Sequence, residues 1–223
     1  TYPKGAMKPP VMITPRGQPD IKALRRTTPD LILAPATLVA TTEEANRLAL
    51  RVGANVYVLR ADTVSGVRDD ILQLGLMTGT AERARTMVAG IDTELKRVRQ
   101  AVAGLPEVPT FVDAGFRYTI APGTLPEDML RLAGGVNAAA DATPGTQLTA
   151  ADLRTAAPEA WISIKGQGLA PAELKSSPAL KNLPAVTNGA ISEIERATLF
   201  DDGPRVAHSV ALVAAAIHPD LRL

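Results

Sequence analysis

TAERARTMVAGIDTELKRVRQAVA, residues 80–103, decides the reading of this chain. Ala84, Val88, Ile91, Leu95, Val98 and Val102 recur in alternating steps of four and three, which draws one narrow apolar stripe down a helix. The opposite face is charged. Thr80 stands where an N-cap is needed, Glu82 places negative charge in the first turn, and Lys96, Arg97 and Arg99 complement the other end. Gly104 and Pro106 stop the helix. At 1.5 Å per residue the stretch predicts a rod of roughly 36 Å, longer than an ordinary crossover in a small domain requires. It reads as a strut between two bodies; one long helix of a single domain, or a coiled-coil partner, is the alternative.

Upstream of the strut the pattern alternates strand and helix. Residues 11–14 read as a short strand, Pro19 suits a first helical turn, and the helix through Ile21 and Leu24 ends before Pro29. DLILA, residues 30–34, is an apolar run without polar alternation, typical of a parallel strand covered on both faces. A helix over 42–52 stops at Gly53, and residues 56–59 form the next strand, completing a βαβ unit. Residues 65–78 predict a helix carrying Val67, Ile71, Leu74 and Leu76. Downstream the pattern restarts. Strands are expected at 110–113, 160–164 and 190–194, and helices after Thr124 (closing at Gly134 and Gly135), after Thr149, at about 172–181 and at about 204–217. Thr124 with Glu127, and Thr149 with Asp152, have capping-box spacing. The motif L-R-x-x-x-P-acid occurs on each side of the strut, as Leu24, Arg25, Pro29, Asp30 and as Leu153, Arg154, Pro158, Glu159. Two related α/β lobes joined by one helix follow from this repeat. The expected division is 1–79 for the first lobe, 80–103 for the helix and 104–223 for the second lobe.

Composition narrows the function. With 46% hydrophobic residues the chain can bury a sizeable core, and a net charge of +1 without long runs of one sign argues against a nucleic-acid groove. No apolar run reaches about eighteen residues and no charged, apolar, small-residue leader opens the chain, so the sequence as given predicts neither a membrane span nor a signal peptide. Cysteine is absent, which excludes disulfides, thiolate nucleophiles and zinc–thiolate sites. There is no P-loop, no G-x-G-x-x-G after a strand, no G-x-S-x-G and no histidine beside a plausible nucleophile; binding rather than catalysis is expected. His208 and His218 lie ten apart on one predicted helix, too far to share a metal ion.

In doubly wound lobes ligands lie outside the carboxyl ends of the strands, so two facing sets of loops would line one cleft. Arg16, Thr37, Arg60, Phe116, Arg117, Tyr118, Lys165, Gln167, Arg196 and Phe200 are the candidate contacts. Cations combined with aromatics, in a chain only 3% aromatic, suit an anionic, partly aromatic ligand such as a ferric catecholate complex. Tyr2 is a terminal candidate, Trp161 is assigned to the core, and Tyr118 is the one well-placed residue for haem ligation.

Several segments resemble the helical-backbone (class III) periplasmic substrate-binding proteins of ABC transporters, which carry ferric siderophores, haem or cobalamin. RGQPDIKALRRTTPDLILA, APGTLPEDMLRLAGGVNAAAD, LTAADLRTAAPEAWISI, GPRVAHSVALVAAAIHP and the strut carry the resemblance in order along nearly the whole chain. It implies an extracytoplasmic binding protein, monomeric, without a cofactor of its own, with a lipid anchor in the precursor left open. It also implies a membrane permease as partner and a metal complex as cargo. RGQPDI tilts the cargo from cobalamin or haem towards a ferric siderophore. Two departures stand out. Relatives normally carry a strand, helix and strand ahead of the "YP" seen at Tyr2 and Pro3, so the first lobe is expected to lack them. They also carry a permease-pairing glutamate seven residues before the proline of "PD"; here that position is Lys22 in one lobe and Ala151 in the other. Standard docking is therefore in doubt, and a transporter-uncoupled sensor or interaction protein is the alternative.

Overall fold

The computed structural model describes residues 12–221, which divide into two compact units, residues up to 60 and residues from 61. In the first, helix α1 (Ile21–Arg26) leads to strand β1 (Leu31–Pro35), helix α2 (Thr42–Val52) and strand β2 (Asn55–Leu59). The strands pair in parallel, Leu31 opposite Asn55 through Pro35 opposite Leu59. This is the expected βαβ unit. Leu24, Ile32, Ala34, Val39 and Leu48 form its core. β1 departs from expectation, because Leu33 is 47% exposed: Ile32 and Ala34 turn towards Leu24 and Leu48, and alternate residues turn out. At the start, Val11 lies outside the described residues, and the expected strand there is reduced to a single bridge between Ile13 and Pro19. Pro19 precedes the helix instead of opening it, since the Asp20 carboxylate accepts the Ala23 N–H at 2.9 Å and makes Asp20 the cap.

The second unit begins with α3 (Val64–Met77) and α4 (Ala81–Val102). α4 is the expected rod, roughly 33 Å by its 22 residues. Ala84, Val88, Ile91, Leu95 and Val98 are buried along the predicted stripe, and Val102 packs against the same cluster. The Thr80 side chain makes no capping bond; its hydroxyl lies 2.9 Å from that of Thr78. α3 packs on α4 at Gly75, where a Cβ would come within 2.4 Å of the Ala84 Cβ. Leu76, assigned to the apolar face of α3, is 60% exposed because the buried series Val64, Val67, Asp70, Gly75 runs down another side.

Strands β3 (Val108–Asp113), β4 (Gly135–Asn137), β5 (Ala160–Ile164) and β6 (Ile191–Ile194) form one parallel sheet in the order β4-β3-β5-β6. Its helices are α5 (Leu125–Leu132), α6 (Ala150–Ala156), α7 (Pro171–Ser176), α8 (Pro184–Thr187), α9 (Arg196–Leu199) and α10 (Val206–Ile217). Alternate strand residues enter separate cores, as a doubly wound sheet requires. Val112, Ile162 and Ile164 join residues of α3, α4, α5 and α10 in one, whereas Phe111 and Trp161 join Leu153, Leu174 and Ala185 in the other. Trp161 is core, as expected, its ring 4.5 Å from that of Phe111. The α/β class with parallel sheets therefore holds in both units.

Three local expectations fail here for identifiable reasons. β4 is a three-residue strand where a helix stop was expected. The helix expected to reach 181 ends at Ser176, since Pro178 keeps Ser177 extended at ψ 115°. The box at Thr124 is half formed: Glu127 accepts the Gly123 N–H at 2.6 Å, while the Thr124 hydroxyl donates to the Ala121 carbonyl. The box of Thr149 and Asp152 is complete.

The L-R-x-x-x-P-acid repeat has a structural basis. Thr28 and Ala157, both just before the proline, sit in the left-handed region at φ 43° and 44°. The Arg25 Nε donates to the Arg51 carbonyl at 2.6 Å, and the Arg154 Nη1 donates to the Ala179 carbonyl at 3.1 Å, so each arginine ties its helix to the chain about 25 residues on.

Candidate functional site

Because β4, β3, β5 and β6 are parallel, their carboxyl ends share one edge of the second unit, and the connections leaving it meet there. Residues 114–118 follow β3 and are built around Asp113, which is fully buried. Its Oδ1 accepts the N–H groups of Gly115 at 3.0 Å and Arg117 at 2.9 Å; its Oδ2 accepts that of Leu169 at 2.8 Å. Gly115, Phe116 and Arg117 all have positive φ, at 129°, 51° and 64°. For the two non-glycine residues that conformation costs about 1–2 kcal/mol each.

Neighbouring connections hold the strained segment. Phe116 donates its N–H to the Gln167 carbonyl and accepts from Gln147 Nε2 at 2.7 Å. The Leu148 N–H donates to the Arg117 carbonyl at 3.1 Å. Loops after β4, β3 and β5 are thereby bonded into one plate, from which Phe116 projects 74% exposed and Tyr118 41% exposed. Arg117 is half-buried, and its Nε has no acceptor.

Further along the edge Lys165 pairs with Glu195 at 3.1 Å. The hydrogen bond and charge of Glu195 raise the Lys165 pKa. Arg196 lies over the ring of Phe200, 4.3 Å from its centroid, and that ring is 40% exposed. At the other end a surface pocket of about 600 Å³ is lined by Ala139, Leu148, Asp141, Thr143, Thr146 and Asp152. Asp152 is held below its usual pKa by hydrogen bonds from the Thr149 backbone and hydroxyl.

Seven expected contacts thus share this edge: Phe116, Arg117, Tyr118, Lys165, Gln167, Arg196 and Phe200. Thr37 and Arg60 follow β1 and β2 of the first unit and are exposed. Arg16 follows no strand among the described residues; it sits in the turn closed by the Thr14 N–H on the Gln18 carbonyl. Tyr2 lies outside the described residues. Lys22 and Ala151 occupy the same place, the second residue of α1 and of α6, and both are exposed. Asp113, Gln147 and Gly168 were not anticipated. The Asp-Ala-Gly that closes β3 was a readable signal for a side-chain-stabilised turn, whereas nothing near Gln147 announced its partner 31 residues away. Among the described residues no cluster of His, Asp or Glu could hold a metal ion, and no helix is long and apolar enough to cross a membrane.

Residues 2–197 match the family model described as Periplasmic binding protein. The chain belongs to that family. A cobalamin-binding protein of Halobacterium salinarum is 27% identical to this family member over 91% of the chain, and an ABC transporter substrate-binding lipoprotein of Bacillus subtilis is 24% identical over 86%. The chain spans 58% and 63% of the length of these two relatives. Among solved structures, the periplasmic vitamin B12 binding protein of Vibrio cholerae superposes with a TM-score of 0.75 at 20% identity, covering 93% of this chain and 79% of the other. A periplasmic haem-binding protein of Roseiflexus gives 0.72 at 17% identity, covering 89% and 79%. This periplasmic binding protein therefore shares its fold with structures variously named for binding vitamin B12, haem or iron.

Proposed function

We propose that the protein is the extracytoplasmic substrate-binding component of an ABC importer and that its cargo is a largely uncharged metal macrocycle of the cobalamin class. The observation that carries the reading is the carboxyl edge of the second unit. Phe116, Tyr118 and Phe200 are exposed there, while two of the three cationic groups beside them have partners, Lys165 with Glu195 and Arg196 with the Phe200 ring, and Arg117 is half-buried. Exposed aromatic faces with little free positive charge favour stacking on a macrocycle over capture of a multiply charged anion. The names of the Halobacterium and Vibrio proteins support the same ligand class. In this reading residues 1–79 and 104–223 act as lobes, 80–103 as the backbone helix, and Thr37 and Arg60 as contacts of the first lobe. The protein works as a monomer, binds without turning its ligand over, and hands it to a membrane permease.

A ferric siderophore is the second reading, favoured by Arg117, whose buried Nε lacks an acceptor that an anionic ligand could supply. Haem is the third, with Tyr118 as the axial candidate. A thermal-melt panel separates them: cyanocobalamin, haemin and ferric catecholate, hydroxamate and carboxylate complexes, each at about 100 μM. A ligand at a hundred times its Kd adds about 2.7 kcal/mol, a shift of several degrees. A shift with cyanocobalamin alone supports the reading; a shift only with the ferric complexes replaces it with the second.

A further inference from the structure

We infer that Asp113 is a positioning residue for the ligand: its carboxylate sets the backbone from which Phe116 and Tyr118 project. The buried charge serves the binding edge more than the core. All three N–H groups that it accepts belong to edge loops, at Gly115, Arg117 and Leu169, while the two cores are assembled by other residues. Three donors converge on two oxygens at a site closed to water, and only an acceptor-only group satisfies all three. Asparagine has nearly the same shape but replaces one oxygen with an NH2. Whichever way its amide turns, that NH2 faces either the Leu169 N–H or the Gly115 and Arg117 pair, and at least one donor is orphaned.

Gly168 is an independent sign that the contact is built for closeness. A Cβ there would stand 2.8 Å from the Asp113 carbonyl oxygen and 3.0 Å from its Cγ, so any larger residue pushes the carboxylate away from Leu169. The Gly115 and Arg117 bonds hold the backbone on either side of Phe116, which Gln167 and Gln147 hold from its flanks. Removing one acceptor should free the segment to leave its positive-φ conformation, and the exposed rings would lose their fixed direction. Preorganisation of this kind sets affinity by sparing the cost of ordering the loop when ligand arrives.

The test is Asp113→Asn in the full chain, with Gly168→Ala as a second variant that disturbs the same contact with the carboxylate retained. Amide hydrogen exchange needs no ligand. Loss of one charge-assisted bond should speed exchange about tenfold in 114–118 and 167–169, with the rest of the second unit changed by less than about twofold. The binding arm rests on the cargo reading above and uses cyanocobalamin titrations of wild type, Asp113→Asn, Phe116→Ala and the double variant. If Asp113 acts through the Phe116 ring, Phe116→Ala weakens binding far less in the Asn background than in wild type. Unchanged exchange in the two loops, acceleration spread through the whole unit, or additive losses in the cycle would overturn the inference. Should wild type not bind cyanocobalamin, the cargo reading falls and exchange alone decides the role of Asp113. If the Asn variant does not fold, Gly168→Ala must give the same localised exchange pattern for the inference to stand.

Discussion

Replacing Phe116 with glycine should weaken ligand binding while leaving the fold as stable as before or slightly more so. A phenylalanine offers about 200 Å² of surface, so at 74% exposure about 150 Å² of Phe116 is open to a ligand. Covering half of that at about 25 cal/mol/Å² contributes about 2 kcal/mol, roughly a 20-fold difference in Kd. Stability moves the other way. At φ 51° a phenylalanine carries about 1–2 kcal/mol of left-handed strain that glycine escapes, and the greater freedom of glycine in the unfolded chain returns about 0.5–1 kcal/mol of that gain. The net is about 0–1.5 kcal/mol in favour of Phe116→Gly. Phe116→Ala retains the strain, so it should lose binding equally with stability within about 0.5 kcal/mol of wild type. Urea unfolding of ligand-free protein gives the stability, and calorimetric titration with cyanocobalamin gives the Kd. The reasoning fails if either variant is destabilised by more than about 2 kcal/mol, because Phe116 would then be supporting the fold. It fails equally if both bind as wild type does.

Ser163→Ala should cost about 1–3 kcal/mol in urea unfolding followed by Trp161 fluorescence, because the buried indole N–H that donates to Ser163 Oγ at 2.9 Å loses its acceptor. Leu153→Ala, at a position with no exposed surface, should cost about 3 kcal/mol by the same assay, and a loss below about 1 kcal/mol would mean that the α6 side of the sheet repacks freely. Asp152 has a folded pKa below its unfolded value, so its contribution is present above about pH 4 and is lost as pH falls through the depressed folded pKa. Thr149→Ala removes the hydroxyl bond but keeps the larger backbone one, so it should flatten the stability profile below about pH 4 only in part, whereas Asp152→Asn removes the titrating group and should flatten it fully; an acid limb unchanged in Asp152→Asn would show that other carboxylates govern it.

The rod of α4 was legible because a stripe at helical spacing needs one long apolar surface to cover it, whichever residues supply that surface. The β3–α5 and β5–α7 connections were legible as candidate contacts for a similar reason: in a parallel sheet, the residue after each strand must emerge at the carboxyl edge. The repeat was readable from letters alone, but its meaning was not. That Thr28 and Ala157 share a left-handed backbone, and that Arg25 and Arg154 bond to matching carbonyls, appears only with coordinates.

Short elements were the hardest to read. β4 has three residues, too few to show a period, and its Gly-Gly start resembles a helix stop. The cations on the carboxyl edge were visible, but Glu195 beside Lys165 and the Phe200 ring under Arg196 decide how much of that charge is unpartnered. Residue type and spacing alone therefore determined the parallel α/β architecture and the edge that holds the candidate contacts, since these follow from local periodicity and strand direction, while the resemblance of whole segments pointed to the family. Tertiary structure decided which side chains are free, which are spent on neighbours and which backbone is strained. Such properties arise from contacts between residues distant in the chain, such as Asp113 with Leu169 and Gln147 with Phe116.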